Sequence, residues 1–124
     1  MMNHADGTVT DERTGLMWEQ RPSDTRYSWA DATGVRIAEL NASTLGGHTD
    51  WRLPELWELV SLVDYARSNP AIDPLLSCQS TTYWSATTYQ PSPSTAWGVY
   101  FYDGYVSAYN KSFSSAVRGV RGGS

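Results

Sequence analysis

The chain is poor in the residues that most often announce a chemistry. Its 124 residues include one cysteine, Cys78, and one lysine, Lys111. A single cysteine excludes an internal disulfide and a multi-cysteine zinc site. Cys78 reads as a small buried thiol, because no neighbouring base would make it reactive. The arginines are scattered and the formal net charge is −4. Phosphate affinity rests on clustered basic side chains, so nucleic acid is not an expected partner. No apolar run approaches the ~20 residues of a membrane span, and no N-terminal run has the form of a signal peptide. Membrane insertion is therefore not expected, and display on a surface would need another means of export.

Catalytic patterns are missing as well. His4 and His48 share no metal-ligand spacing and read as ordinary polar residues. No G-x-S-x-G, P-loop or H-E-x-x-H pattern occurs. Glu55 and Glu58 could pair for acid–base work, but an exposed helix face or carboxylates complementing a helix N-terminus explain them better. Asp50 and Arg52 are expected to bridge each other and fix the entry to that helix. Gly122-Gly123 carries no phosphate logic. No enzyme, metal or cofactor is expected.

What is present is aromatic. Aromatics make up 13% of the chain, with six Trp and eight Tyr. Charged residues are 18%, against about 25% in ordinary soluble domains. Gly7–Thr10 and Leu16–Glu19 bracket a turn-rich segment and predict a hairpin. Ser28 with Asp31 resembles a capping box. It predicts a helix to about Asn41 with Trp29, Thr33, Ile37 and Leu40 on one face. Pro54 fits the first position of a second helix with an apolar stripe of Leu56, Leu59, Val60 and Val63. Residues 69–74 read as loop. From about Thr81 onward the pattern is strands and loops. The order predicts one α+β domain over residues 1–124. The Trp residues sit in patterned segments and are expected in the core.

The segment Ala96–Val117, AWGVYFYDGYVSAYNKSFSSAV, is unusual. Trp97, Val99 and Phe101 lie on one strand face and Gly98, Tyr100 and Tyr102 on the other. Asp103-Gly104 predicts a two-residue hairpin turn. Val106 then continues the inward face, and Tyr105, Ser107 and Tyr109 face out. Two readings stay open. A second layer could bury these tyrosines, which suit strands in any case. Alternatively they form a binding surface, with Asn110, Ser112, Phe113, Ser114 and Ser115 extending it. Tyr offers a large amphipathic contact with little side-chain entropy to lose, and small polar residues adapt around it.

The motifs Gly-Thr-Val-Thr-Asp…Thr-Gly-Leu-Met-Trp (7–18), Trp-Ala-Asp-Ala (29–32), Leu-Asn (40–41), Asp-Trp-Arg-Leu-Pro (50–54) and Pro-Ala-Ile-Asp (70–73) occur in order. Tyr-Trp-Ser-Ala-Thr (83–87), Trp-x-Val-x-Phe-x-x-Gly (97–104) and Val-Arg-x-Val-Arg (117–121) follow. Together they resemble the domain family named for the C-terminal domain of the Lcl collagen-like adhesin. The resemblance implies a C-type-lectin-like fold, related to that of formylglycine-generating enzymes. Those enzymes need a cysteine pair, which this chain lacks. Calcium-dependent sugar-binding lectins use Glu-Pro-Asn or Gln-Pro-Asp with Trp-Asn-Asp. Here Gln90-Pro91-Ser92 lacks the acid and no Trp-Asn-Asp exists.

The last third also resembles the variable region of proteins diversified by retroelements, in which template adenines are rewritten. Their AAC-rich codons never reach Glu, Gln, Lys, Met or Trp. Residues 91–124 contain only Trp97 and Lys111 of these types. The resemblance implies a variable region at about 83–117 on a fixed scaffold that includes Trp97, Val99, Phe101, Gly104 and Val106. Its ligand-contacting positions would be Tyr89, Ser92, Ser94, Thr95, Gly98, Tyr100, Tyr102, Asp103, Tyr105, Ser107, Ala108, Tyr109, Asn110, Ser112, Phe113 and Ser114. The expected partner is a protein or other surface macromolecule of a host or neighbouring cell. The expected location is a virus particle or cell surface, with the chain a monomer or homotrimer. The alternative is a fixed-sequence adhesin domain that binds a glycan or polyanion.

Overall fold

The computed structural model describes residues 1–122; Gly123 of the glycine pair lies outside them. It is α+β, with few helices and two antiparallel sheets. Strands β2 (Thr8–Asp11) and β3 (Leu16–Glu19) form the expected hairpin. Asp11 ties its turn. Its carbonyl accepts from Gly15 N–H at 2.8 Å, and its carboxylate takes Arg13 through two side-chain bonds. Gly15 is there because the turn needs φ of +75°.

Ser28 caps the first helical stretch, its Oγ accepting from Asp31 N–H at 3.4 Å. That stretch is α1 (Trp29–Asp31), a π-helical segment (Ala32–Ile37) and α2 (Ala38–Ala42). The buried residues are Ala32, Ile37 and Leu40, and Thr33 is exposed, contrary to the α-helical expectation. The wider π turn brings residues five apart onto one side, so Ala32 replaces Thr33 as the partner of Ile37. Gly34 and the β-branched Thr33 and Val35 weaken an α ladder there.

Helix α3 (Leu56–Val60) is shorter than expected and starts later. Pro54 precedes the N-cap, Glu55, and its carbonyl accepts from Ala86 N–H at 2.7 Å. After Val60 the chain tightens. Leu62 N–H donates to Leu59 O and Val63 N–H to Val60 O. That turn buries Leu62 fully and leaves Val63 partly buried against the same cluster.

The second half supplies β4 (Thr82–Thr88), β5 (Thr95–Tyr100), β6 (Tyr105–Asn110) and β7 (Val120–Gly122). One sheet has the order β4-β5-β6. β7 instead crosses back to β3, extending the other sheet, whose far border is the short β1 (Met2–Asn3). The β4-β5-β6 sheet lies between two apolar clusters. Tyr83, Val99 and Phe101 enter one with Trp18, Leu59 and Val120. Trp84 and Ala96 enter the other with Trp51, Leu40 and Val117. Of the tryptophans, Trp57 departs furthest from the core expectation and is 62% exposed, and the half-buried Trp97 enters neither cluster.

Buried charges cross-link the layers. The Arg118 guanidinium, 1% exposed, donates to the carbonyls of Glu19, Gln20 and Ser77. The Glu19 carboxylate takes Arg36 at 2.5 Å and Gly119 N–H at 3.1 Å. Asp50 and Arg52 do not bridge each other. Arg52 holds Glu58 through two bonds of 2.7 Å, and Asp50 takes Arg121 at 2.6 Å. Glu58 is buried rather than on an exposed helix face. It also accepts Glu55 N–H at 2.8 Å, closing the cap.

Candidate functional site

β5 and β6 pair without a slip, from Thr95 opposite Asn110 to Tyr100 opposite Tyr105. Four residues therefore form the loop, Phe101 to Gly104, rather than the two expected. The loop is held from three sides. Gly104 N–H donates to Tyr100 O at 2.8 Å. Asn69 N–H and Ala71 N–H donate to Tyr102 O and Phe101 O. Asp103 Oδ1 accepts Tyr105 N–H at 3.0 Å. Phe101 points inward and meets Tyr83 edge-on at 5.4 Å. Gly104 is required twice over. Its φ is +90°, and a Cβ there would lie 2.5 Å from Val63 Cγ1.

This fixed backbone sets out the aromatics. Tyr102 is 45% exposed and Tyr105 is 64% exposed. Tyr100, half-buried, stacks on Tyr102 with ring centres 5.9 Å apart. Tyr65, 71% exposed, completes the group from the loop after α3. Its ring would touch a Cβ on Gly104 at 3.0 Å. Tyr65, Asp103, Gly104, Tyr105 and Val106 line an open depression of about 400 Å³. Tyr65 was missed in the sequence because it stands alone in a polar loop. The one available signal was a large aromatic with no apolar periodicity around it.

Residues 7–121 match the Lcl C-terminal domain. The chain belongs to that family. No curated protein matches it significantly. Membership points to a surface ligand-binding domain.

Within this Lcl C-terminal domain the other expected positions fall elsewhere. The six-residue β5 separates the two ends of the sheet by roughly 17 Å. At the end opposite the tyrosine loop, the β4–β5 turn carries Tyr89, Ser92, Ser94 and Thr95. Tyr89 N–H donates to Thr95 O, and Thr95 N–H and Oγ1 both donate to Ser92 O. Tyr89 also packs edge-on against Trp97 at 5.0 Å. Ala108 lies opposite Trp97 and is half-buried. Asn110 and Ser112 form a closed turn in which Asn110 Oδ1 accepts both the N–H and the hydroxyl of Ser112. Beyond it Ser114 is exposed and Phe113 is 61% exposed.

Four positions are not outward-facing in the expected sense. Ser115 is buried, its N–H and C=O exchanging bonds with Tyr27 at 2.9 Å. Gly98 is buried, and a Cβ there would lie 2.9 Å from Thr82 Cγ2 and 3.1 Å from both Tyr109 Cδ2 and Tyr83 O. Tyr109 is half-buried and packs against the Trp84 cluster. Ser107, opposite Gly98, is half-buried. The physical reason is the second apolar cluster, which covers this part of the face that alternation alone assigns to solvent.

Lys111 is a structural residue. Its Nζ donates to Thr88 Oγ1 at 3.0 Å and sits 4.0 Å from the Trp29 ring centre. Burial pushes the Cys78 thiol up and the Tyr83 phenol up to about 12, which suppresses nucleophilic forms of both. Among the described residues no group of three His, Cys, Asp or Glu could hold a metal. No helix among them is long and apolar enough to cross a membrane. The tyrosine group offers apolar ring faces and hydroxyls.

Proposed function

We propose that this domain is a non-enzymatic ligand-binding module of C-type-lectin-like fold whose display surface is diversified by a retroelement. The observation that carries it is the separation of backbone from side chains at 101–105. Phe101 and Gly104 anchor the loop, while the intervening Tyr102 and Asp103 and the following Tyr105 face solvent. A library can vary the second set without touching the first. Buried aromatic anchors ringed by small polar residues would supply the affinity, as in other recognition surfaces. The ligand is a protein or other surface macromolecule of a host or neighbouring cell, met by display on a virus particle or cell.

The codon rule gives a second support. Lys111, one of the two residues in 91–124 that an AAC-derived codon cannot supply, is tied to Thr88 and Trp29. A scaffold role for it agrees with the rule.

Deep sequencing of codons 83–117 in the source population tests the reading. Substitutions should crowd at Tyr100, Tyr102, Asp103, Tyr105, Ser112, Phe113 and Ser114. Val99, Phe101, Gly104 and Lys111 should stay fixed. Uniform codons across the segment would leave a single inherited binding surface and defeat the diversification claim.

A further inference from the structure

The borders of the two sheets differ in a way the binding surface does not explain. A border strand carries unpaired N–H and C=O groups and invites another strand unless something protects it. β1 is only two residues long. β7 is closed by Arg52, whose N–H and C=O exchange bonds with Val120 at 2.9 and 3.0 Å. β4 is closed by the segment at Ala116, which accepts from Trp84 N–H and donates to Thr82 O, both at 3.0 Å. Among the described residues, β6 is the one border that is both long and open.

Its bonding phase follows from the flanking bonds. Phe101 N–H donates to Thr81 O and Lys111 N–H donates to Ser94 O. Bonds in an antiparallel pair alternate along each strand. Tyr105, Ser107 and Tyr109 therefore bond to β5. The N–H and C=O groups of Val106 and Ala108, and the N–H of Asn110, point away from the sheet. None of these groups has a backbone partner among the described residues; Asn110 O receives Phe113 N–H. The strand YVSAYN has no charge, no proline and no bulge against β5. It lacks the usual devices that discourage pairing.

We infer that β6 is an assembly edge whose occupant is β6 of a second copy, in antiparallel two-fold pairing centred on Ala108. Outward groups spaced at every second residue match another extended backbone. The two-fold register sets Ala108 opposite itself and Val106 opposite Asn110. It engages both groups of Ala108 and joins Asn110 N–H to Val106 O, while Val106 N–H shares Asn110 O with Phe113 N–H. It puts the smallest side chain of the strand on the axis. Ser107 faces Tyr109 of the second copy, and no like charges meet. The product is one continuous six-stranded sheet with two tyrosine surfaces on a single body. Such a body could engage two ligand copies at once, and avidity would follow without new contacts. The pairing stands independently of how the tyrosine surface arose.

The test is molar mass in solution from ~1 µM to ~1 mM. The wild-type chain should reach twice its 13.8 kDa mass. Ala108→Lys and Ala108→Asp should each stay at the single-chain mass, because like charges then meet on the axis. An equal mixture of the two variants should regain the doubled mass. Restoration in the mixture also proves that both variants fold. A wild-type chain that stays single throughout overturns the inference. So does a dimer that persists in both variants, or a mixture that fails to pair.

Discussion

The β3–β7 side of the molecule and the β5–β6 hairpin are held by different chemistry. At β3–β7, buried charges do the joining. Arg118 gathers carbonyls from Glu19, Gln20 and Ser77, and Glu19 takes Arg36. Each of these groups is costly to leave unpaired in an interior, so each contact specifies one arrangement. The hairpin uses backbone instead. Gly104 closes the loop, and Asn69 and Ala71 bind its carbonyls. The outward side chains at 102 and 105 can therefore change while the backbone stays, whereas Asp103 itself ties the loop through Tyr105 N–H. The difference teaches how one small domain could combine a rigid frame with a changeable surface: one region is joined through buried side chains, and the other is held mainly through backbone bonds.

The largest break in this comparison comes from removing Arg118. Arg118→Met should cost roughly 3–5 kcal/mol in chemical denaturation, because buried carbonyls lose their donor. A cost below about 1 kcal/mol would show that water replaces the guanidinium.

Glu58 comes next. Burial acts to raise its carboxyl, but Arg52 and the Glu55 N–H outweigh it and hold the group below the usual Glu range. A depressed folded value contributes stability above the unfolded pKa of about 4.3 and loses it as pH falls through the folded value. Melting temperature should therefore drop on acidification below about pH 4.5. Glu58→Gln should cost about 2 kcal/mol at neutral pH, with Arg52 40% exposed softening the loss. The variant should also flatten the acid limb. An unchanged acid limb would assign it to other carboxylates, Asp11 first, which is also held low by Arg13.

Gly98→Ala sharpens the comparison within the hairpin itself. A Cβ there meets Thr82, Tyr109 and the Tyr83 carbonyl, so overpacking should cost about 1–2 kcal/mol. A neutral result would return Gly98 to the displayed set.

Much of the scaffold was legible from local pattern. The first hairpin, the Ser28 cap and the inward series Val99, Phe101 and Val106 all follow from turn chemistry and period-two alternation. The failures come from one local departure from α geometry and from tertiary contacts. The π turn at Ala32–Ile37 shifts the buried face by one residue, and a 3.6-residue period cannot register that. Gly98 alternates outward, yet Thr82 and Tyr109, the latter packed against the Trp84 cluster, close over it. Arg52 finds Glu58 rather than its sequence neighbour Asp50, because the cap of α3 carries the buried carboxylate to it. Tyr65 reaches the tyrosine group only because residues 69–71 bind the 101–104 loop. No spacing in the chain predicts that contact.

The most direct test of the division between scaffold and display is a saturation substitution scan of residues 65 and 89–115, read by resistance of the folded chain to proteolysis. Tyr65, Tyr102, Tyr105, Phe113 and Ser114 should accept most residues, with changes within about 0.5 kcal/mol. Gly98, Val99, Phe101 and Gly104 should accept almost none. If Tyr102 and Tyr105 prove as intolerant as Phe101, the tyrosines are part of the fold and the display account is wrong.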